Sequence, residues 1–281
     1  MTTPEGRRDT RRTTPAAATA NGLTPMGSLP VRPAAFLFDV YGTLLMPLPA
    51  DIGADRGVAP PWRALAILLD QYSVRRTAEE LCRALREEIA AIHAQMKDRG
   101  IDYPEVVIDR VWQSVLGTGN RDFARQFALD FEMTVNPVYP LPDAAAVLSA
   151  IRKRKIPAGI ISNAQFYTGH LLKRFFGELP QDSWADPELI FYSFEHGRAK
   201  PSAYLFEQAA AALNRKGISA GDTLYVGNDP VKDIGPAAGA GFLTALLAGD
   251  AGSLRLSGAN NRECRPDLII TALRQLEPWI G

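Results

Sequence analysis

The sequence predicts an α/β fold, a doubly wound parallel sheet with helices on both faces and a smaller all-helical region inserted after the first strand. Three observations predict it. Short apolar runs of strand length stop abruptly at polar residues in four places: at Asp39, at Ser162-Asn163, before Lys200 and at Asn228-Asp229. Segments with apolar side chains at helical spacing alternate with the later runs, the order that builds a parallel sheet covered on both faces. Residues 47–140, by contrast, carry helical periodicity and no strand pattern.

The bulk properties are those of an ordinary globular chain. Of its 281 residues 46% are hydrophobic and 22% charged, and 31 Lys and Arg balance 31 Asp and Glu. That balance argues against a nucleic-acid or membrane-surface partner, and no apolar run reaches membrane-spanning length. Cys82 and Cys264 lie far apart and match no metal spacing, so they are expected as reduced thiols of a cytoplasmic protein. Residues 1–32 are rich in Thr, Ala, Pro and Gly, with Arg7, Arg8, Arg11 and Arg12 and few large apolar side chains. Such a segment cannot build a core and is expected to be a disordered tail, with Met26 an alternative start. No apolar stretch follows its arginines as a secretory signal requires.

Taken in order, Ala34 to Leu45 is a strand that delivers Asp39 to a sheet edge and turns at Gly42-Thr43. In an open α/β sheet that edge is where ligands bind. Within 47–140, Trp62 to Leu69 begins a helix, and Thr77 with Glu80 marks a capping-box start. Leu81, Leu85, Ile89, Ile92 and Met96 continue that helix until Gly100, and Val107, Val111 and Val115 suggest another from Pro104. Asp143 opens a helix through Val147, Leu148 and Ile151, whose basic end, Arg152 to Lys155, suits the negative pole of the helix dipole. Pro157 to Asn163 is a buried strand ending in a hydroxyl and an amide, followed by a helix from Ala164 to Phe176. Leu189 to Ser193 is another strand, with Lys200 just before a proline that begins a helix carrying Tyr204, Leu205, Ala209 and Leu213 on its apolar face. Thr223 to Gly227 runs into Asn228, Asp229 and Asp233. A helix over 232–239, a strand over 242–247 and a last strand and helix over 267–276 complete the pattern.

Four motifs in this order, a first-strand Asp, a second-strand Ser, a Lys and an acidic loop after a later strand, resemble the haloacid dehalogenase superfamily of hydrolases. The resemblance covers Ala34 to about Phe242 and implies a Rossmann-like core over 33–46 and 141–281 with a helical cap over 47–140. The cap of that family closes over the crevice and selects substrate. It implies Asp39 as nucleophile, Lys200 as the charge beside it, and Thr43, Ser162, Asn163 and Lys200 as substrate-binding residues. Carboxylates crowded at one edge need compensation, which Mg²⁺ would supply through oxygen ligands. Asp39, the Tyr41 carbonyl, Asp233 and one of Asn228 or Asp229 are the expected ligands, and the substrate is expected to be a small, phosphorylated molecule.

Tyr41 stands where phosphatases of this family carry a second aspartate that protonates the leaving group. A phenol can donate a proton but is hardly ever a base at neutral pH, and Asp-x-Tyr-Gly-Thr looks like the family's metal-independent 2-haloacid dehalogenases. The acidic loop and Phe206, six residues after Lys200 where a dehalogenase would carry tyrosine, look like the phosphatases. Phosphate-ester hydrolysis is therefore the first expectation, haloacid hydrolysis the second, and an impaired protein that binds a phosphorylated ligand the third. His93 and His196 are expected in packing and loop positions, and Arg63, Arg75 and Arg76 are candidate clasps for a substrate anion.

Overall fold

The structure is a computed structural model, and it describes residues 24–47, 61–249 and 265–281. Its strands are β1 Met26–Gly27, β2 Ala35–Phe38, β3 Leu45–Pro47, β4 Val138–Pro140, β5 Ala158–Ser162, β6 Ile190–Tyr192, β7 Thr223–Gly227, β8 Leu243–Leu247 and β9 Leu268–Ile270. Its helices are α1 Trp62–Gln71, α2 Ala78–Asp98, α3 Ile108–Leu116, α4 Arg121–Val135, α5 Ala144–Lys153, α6 Tyr167–Phe176, α7 Ser193–His196, α8 Tyr204–Arg215, α9 Gly235–Gly239 and α10 Glu277–Ile280.

Seven strands form one sheet in the order β1-β9-β8-β7-β2-β5-β6, parallel except for β1. All five residues of β5, β7 and β8 and all four of β2 are buried, as strands covered on both faces must be. One apolar layer contains Phe36, Phe38, Ile160 and Val226 with α5 and α6, and the other contains Leu37, Ile161 and Tyr225 with α8. Phe38 lies level with Ile160 of β5 on one side and Val226 of β7 on the other. The residues that follow these positions therefore leave the sheet together at one edge.

The expected tail ends earlier than residue 32. Met26–Gly27 pairs antiparallel with β9 and Leu29 is buried, because the edge of β9 offers unpaired backbone groups and the core offers an apolar seat. Residues 1–23 lie outside the described residues. The helical region is trimmed at both ends, since β3 and β4 pair as a two-stranded antiparallel stem from which the insert departs and returns. Pro104 does not begin a helix: α3 starts at Ile108, and Pro104 lies in an extended segment bridged to Arg198. The expected helix over 232–239 divides into a wide helical turn, Pro230–Ile234, and the short α9. No helix among the described residues is long and apolar enough to cross a membrane.

The insert has a core of its own. Thr77 Oγ1 accepts from the Glu80 amide at 3.2 Å and Glu80 accepts from the Thr77 amide at 2.9 Å, the capping box that the sequence predicts for α2. Arg76, one of the candidate anion clasps, instead donates to the Val115 carbonyl within the insert. Trp112 of α3 meets Phe127 and Phe131 of α4 at ring distances of 4.8 and 4.7 Å, and Phe127 meets Tyr72 at 5.0 Å. Buried Asp109 joins the same helices by ion pairs to Arg121 and Arg125 at 2.9 and 2.8 Å. Trp112→Ala should therefore cost about 3–5 kcal/mol, read as a shift in the chemical-denaturation midpoint. A loss below about 1 kcal/mol would show that these rings do not hold the insert together.

Candidate active site

Asp39 is the first residue past β2, an interior strand, with β5 on one side and β7 on the other. Ser162 ends β5, Gly227 ends β7, and Lys200 comes from the loop between α7 and α8. The structure brings together Asp39, Ser162, Asn163, Lys200, Asn228, Asp229 and Asp233.

Lys200 is the hub. Its ammonium donates to Asp39 Oδ1 at 2.7 Å and to Asp233 Oδ1 at 2.5 Å, and it lies 3.1 Å from the Tyr225 hydroxyl and 3.2 Å from the Ile161 carbonyl. Burial alone would lower its pKa, but Asp233 and Asp39 outweigh that and hold the group above its ordinary value, as a cation. Asn163 grips the same residue by its backbone: its Oδ1 accepts from the Lys200 amide at 2.6 Å and its Nδ2 donates to the Lys200 carbonyl at 3.0 Å. Asn163 thus fixes Lys200.

Asp39 Oδ1 also accepts from Ser162 Oγ at 2.9 Å. The Ser162 hydroxyl orients the Asp39 carboxylate. Burial raises Asp39 from 3.8 to about 6, with Lys200 pulling the other way and Asp233 adding to the rise. Its Oδ2 takes no hydrogen bond among the described residues.

Asp233 is saturated. Oδ1 accepts from Lys200 and from the Tyr225 hydroxyl at 2.8 Å, and Oδ2 accepts from the Asn228 and Asp229 amides at 3.1 and 2.9 Å. A carboxylate has about four lone-pair positions, and here all are used. Asp233 therefore anchors Lys200 and the loop. Gly227 permits this, because a side chain there would put its Cβ 2.5 Å from that of Asp233. Asp229 Oδ1 accepts from the Val231 and Lys232 amides, both at 2.9 Å, and caps the following turn.

Tyr41 lies two residues after Asp39. Its hydroxyl is paired with Thr168 Oγ1 at 2.9 Å, and burial, reinforced by the charge of Glu132, pushes its pKa far above the usual phenol range. Its ring borders the cavity. Thr43 does not border it: the residue is fully buried in the turn behind Asp39, where its hydroxyl has no partner among the described residues. Gly42 at φ +94° keeps that turn tight, since a Cβ there would lie 2.3 Å from the side-chain Nδ2 of Asn228. His196 ends α7 and packs against Phe191 and Tyr204 outside the cavity.

Two groups escape the sequence reading. Tyr225 shares a strand face with Gly227 by the period of two, so its hydroxyl points where Asp233 approaches. It is fully buried, its pKa is raised by burial and by the charges of Asp233 and Asp39, and its ring meets Phe206 edge-on at 5.1 Å. A tyrosine thus reaches Lys200 from β7 although position 206 carries none. Glu105, Glu132 and Gln165 are the other omission, and they wall a cavity of about 390 Å³ whose opposite side is Asp39, Lys200 and the loop from Asn228 to Asp233. Glu105 is pushed above its ordinary value by burial, against hydrogen bonds from Ser193, Val106 and Gln165.

Among the described residues no set of three or more His, Cys, Asp or Glu side chains is gathered as a ready metal cage. Hard oxygen donors nevertheless face the same cavity: Asp39 has an oxygen to spare, Asp229 uses only Oδ1 in its cap, and Asn228 is adjacent. That donor set fits Mg²⁺ kept partly hydrated better than it fits a softer metal.

This fold and constellation are those of a hydrolase class, and comparison with known proteins agrees. The profile described as haloacid dehalogenase-like hydrolase matches residues 33–241, and the chain belongs to that family. Among solved structures it is similar to a 2-haloacid dehalogenase from Pseudomonas syringae pv. Tomato DC3000, with TM-score 0.54 and 20% identity over 88% of this chain and 97% of the other. It is similar to the putative HAD-hydrolase YfnB from Bacillus subtilis bound to magnesium, with TM-score 0.52 and 19% identity over 89% and 100%. It is also similar to a HAD phosphatase from Thermococcus onnurineus, with TM-score 0.51 and 18% identity over 88% and 97%. At such identities the likenesses establish the fold. No curated protein matches the chain.

Without added metal, one aspartate of the protein should titrate near pH 6, followed by carboxyl ¹³C NMR, with its carboxylate form dominant above that pH and its acid form below. That signal should vanish in Asp39→Asn. A titration midpoint near 4 for the missing resonance would show that burial does not control this carboxyl.

Proposed function

We propose that the chain is a Mg²⁺-dependent hydrolase that uses Asp39 as nucleophile on a small phosphate monoester. The observation that carries this reading is the division of labour on Asp39: one oxygen is fixed by Ser162 and Lys200, and the other is left to the cavity. An oriented carboxylate with an open oxygen is ready for in-line attack.

In the first step a bond forms between that carboxylate and phosphorus while the bond from phosphorus to the leaving oxygen breaks. Lys200 stays protonated and faces the charge on the transferring group, a fixed cation that needs no reorganisation. In the second step water hydrolyses the acyl-phosphate, which returns Asp39 and releases inorganic phosphate. Mg²⁺ would be held by Asp39, Asn228, Asp229 and the Tyr41 carbonyl, where it would offset the phosphate charge against the carboxylates. Glu105 and Glu132 on the far wall make that compensation more pressing, since they share the cavity with the acids of the loop.

With Tyr41 tied to Thr168, no proton donor stands at the position two after the nucleophile. Leaving groups that need no proton are then preferred. Turnover of p-nitrophenyl phosphate with Mg²⁺ should exceed that of an alkyl phosphate by about two orders of magnitude, the usual worth of a general acid. Tyr41→Asp should raise the alkyl rate selectively. Asp39→Asn should abolish both activities with an unchanged circular dichroism spectrum, and residual turnover in it would remove the covalent mechanism.

The same engagement of Tyr41 favours one second reading, hydrolysis of a 2-haloacid, because halide departs without a proton. Chloride release from 2-chloropropionate in the presence of EDTA would establish it. Phosphate trapped on Asp39 without turnover would instead make the chain a phospho-ligand binder.

A further inference from the structure

The loop that carries Lys200 is held from two sides, and one of them is the insert. Between α2 and α3 the chain runs extended, and its residues 103–105 pair antiparallel with 197–199. The Ala199 amide donates to the Tyr103 carbonyl at 2.7 Å and the Glu105 amide to the Gly197 carbonyl at 3.2 Å, flanking the bridge between Pro104 and Arg198. Pro104 occupies the one position of this short ladder that needs no amide hydrogen. Asp102 extends the contact past Lys200 by accepting from Ser202 Oγ at 3.1 Å, with Arg198 alongside at 3.7 Å.

Glu105 fastens this strap to the core. One of its oxygens accepts from Ser193 Oγ at 2.7 Å, and the other from Gln165 Nε2 at 3.2 Å and the Val106 amide at 3.0 Å. Ser193 Oγ in turn accepts from the Ala164 amide at 2.9 Å, and Gln165 holds the strap further by donating to the Val106 carbonyl and accepting from the Ile108 amide. Ala164 and Gln165 directly follow Asn163, whose side chain clasps the Lys200 backbone.

We propose that Glu105 is a positioning residue that couples seating of the insert to the placement of Lys200 beside Asp39. The insert also joins the core by its stem, β3 and β4, and by Arg125 of α4, which lies 3.9 Å over the Phe166 ring. Rotation of the insert about that stem must either break the pairing at 103–105 or pull on the residue before Lys200. Seating the insert thus completes the charge arrangement around the nucleophile, and unseating it loosens that arrangement. The inference rests on the hydrolase reading only for the part Lys200 plays in turnover.

Amide hydrogen exchange on the full chain tests the coupling without reference to activity. Glu105→Ala should speed exchange of the Ala199 and Lys200 amides by about tenfold or more, while the Asp39 amide, bonded to Val226 in the sheet, keeps its rate. Ser193→Ala, a smaller change, should move the same two amides in the same direction, and Glu105→Gln, which keeps an acceptor for Ser193, should stay within about threefold of wild type. Unchanged exchange at Ala199 and Lys200, or equal acceleration at Asp39, would overturn the proposal. With p-nitrophenyl phosphate and Mg²⁺, kcat should fall about tenfold in Glu105→Ala with KM within threefold, and recover in Glu105→Gln. An unaltered kcat beside loosened amides would overturn the link to Lys200. A wild type without turnover would count against the hydrolase reading alone, and the exchange at Lys200 would still decide the coupling.

Discussion

A single ammonium, that of Lys200, lies between the carboxylates of Asp39 and Asp233 in a part of the protein nearly closed to water. Taking three charges out of solvent costs several kcal/mol per ion, and the mutual attraction offsets this only where the geometry is close and the remaining lone pairs are filled. Much of the surrounding structure meets that condition. Ser162 fills Asp39, two loop amides and Tyr225 fill Asp233, and Asn163 fixes the backbone from which the ammonium extends. Removing Lys200 would leave two buried carboxylates uncompensated, at about 3–5 kcal/mol. The arrangement stands or falls together.

That interdependence explains why the sheet register matters to chemistry. Asp39 and Ser162 meet because β2 and β5 are parallel and in step, and Asp233 reaches Lys200 because Gly227 at the end of β7 has no side chain to block it. A slip of one residue in either pairing would turn an acid or a hydroxyl to the opposite face. The insert enters the same balance from outside the sheet, since its extended segment pairs with the residues leading to Lys200. Core and insert each have an apolar cluster of their own, flanked in common by Ile108 and Phe166, and Glu105 adds a polar seam between them.

The sheet, its strand ends and seven of the residues that converge there were legible in the sequence, because a buried parallel strand must end at polar residues and must end level with its neighbours. What escaped was set by contacts between segments remote in sequence. Tyr225 reads as a core residue of β7 unless one counts back two from Gly227. Glu105 lies in an apolar stretch whose partner, Ser193, is 88 residues away, and no periodicity links the two. The direction of the Tyr41 hydroxyl depends on Thr168 of α6, and the partners of Asp233, Tyr225 and two loop amides, cannot be read from its neighbours in sequence. Local pattern placed the groups; their bonding required the fold.

Burial and pairing also set what Asp39 can do. Without metal, a carboxyl lifted to about 6 is still roughly nine-tenths ionised at neutral pH, and its basicity exceeds that of an aspartate in water. Lys200 keeps the rise from going further, since burial without a cation would leave the group protonated and inert. The same enclosure acts on Tyr41 in the opposite sense. It strengthens the phenol's hold on its proton. On the proposed reading, the first step is then the one this site serves best, and the chemistry of the leaving group limits what it turns over.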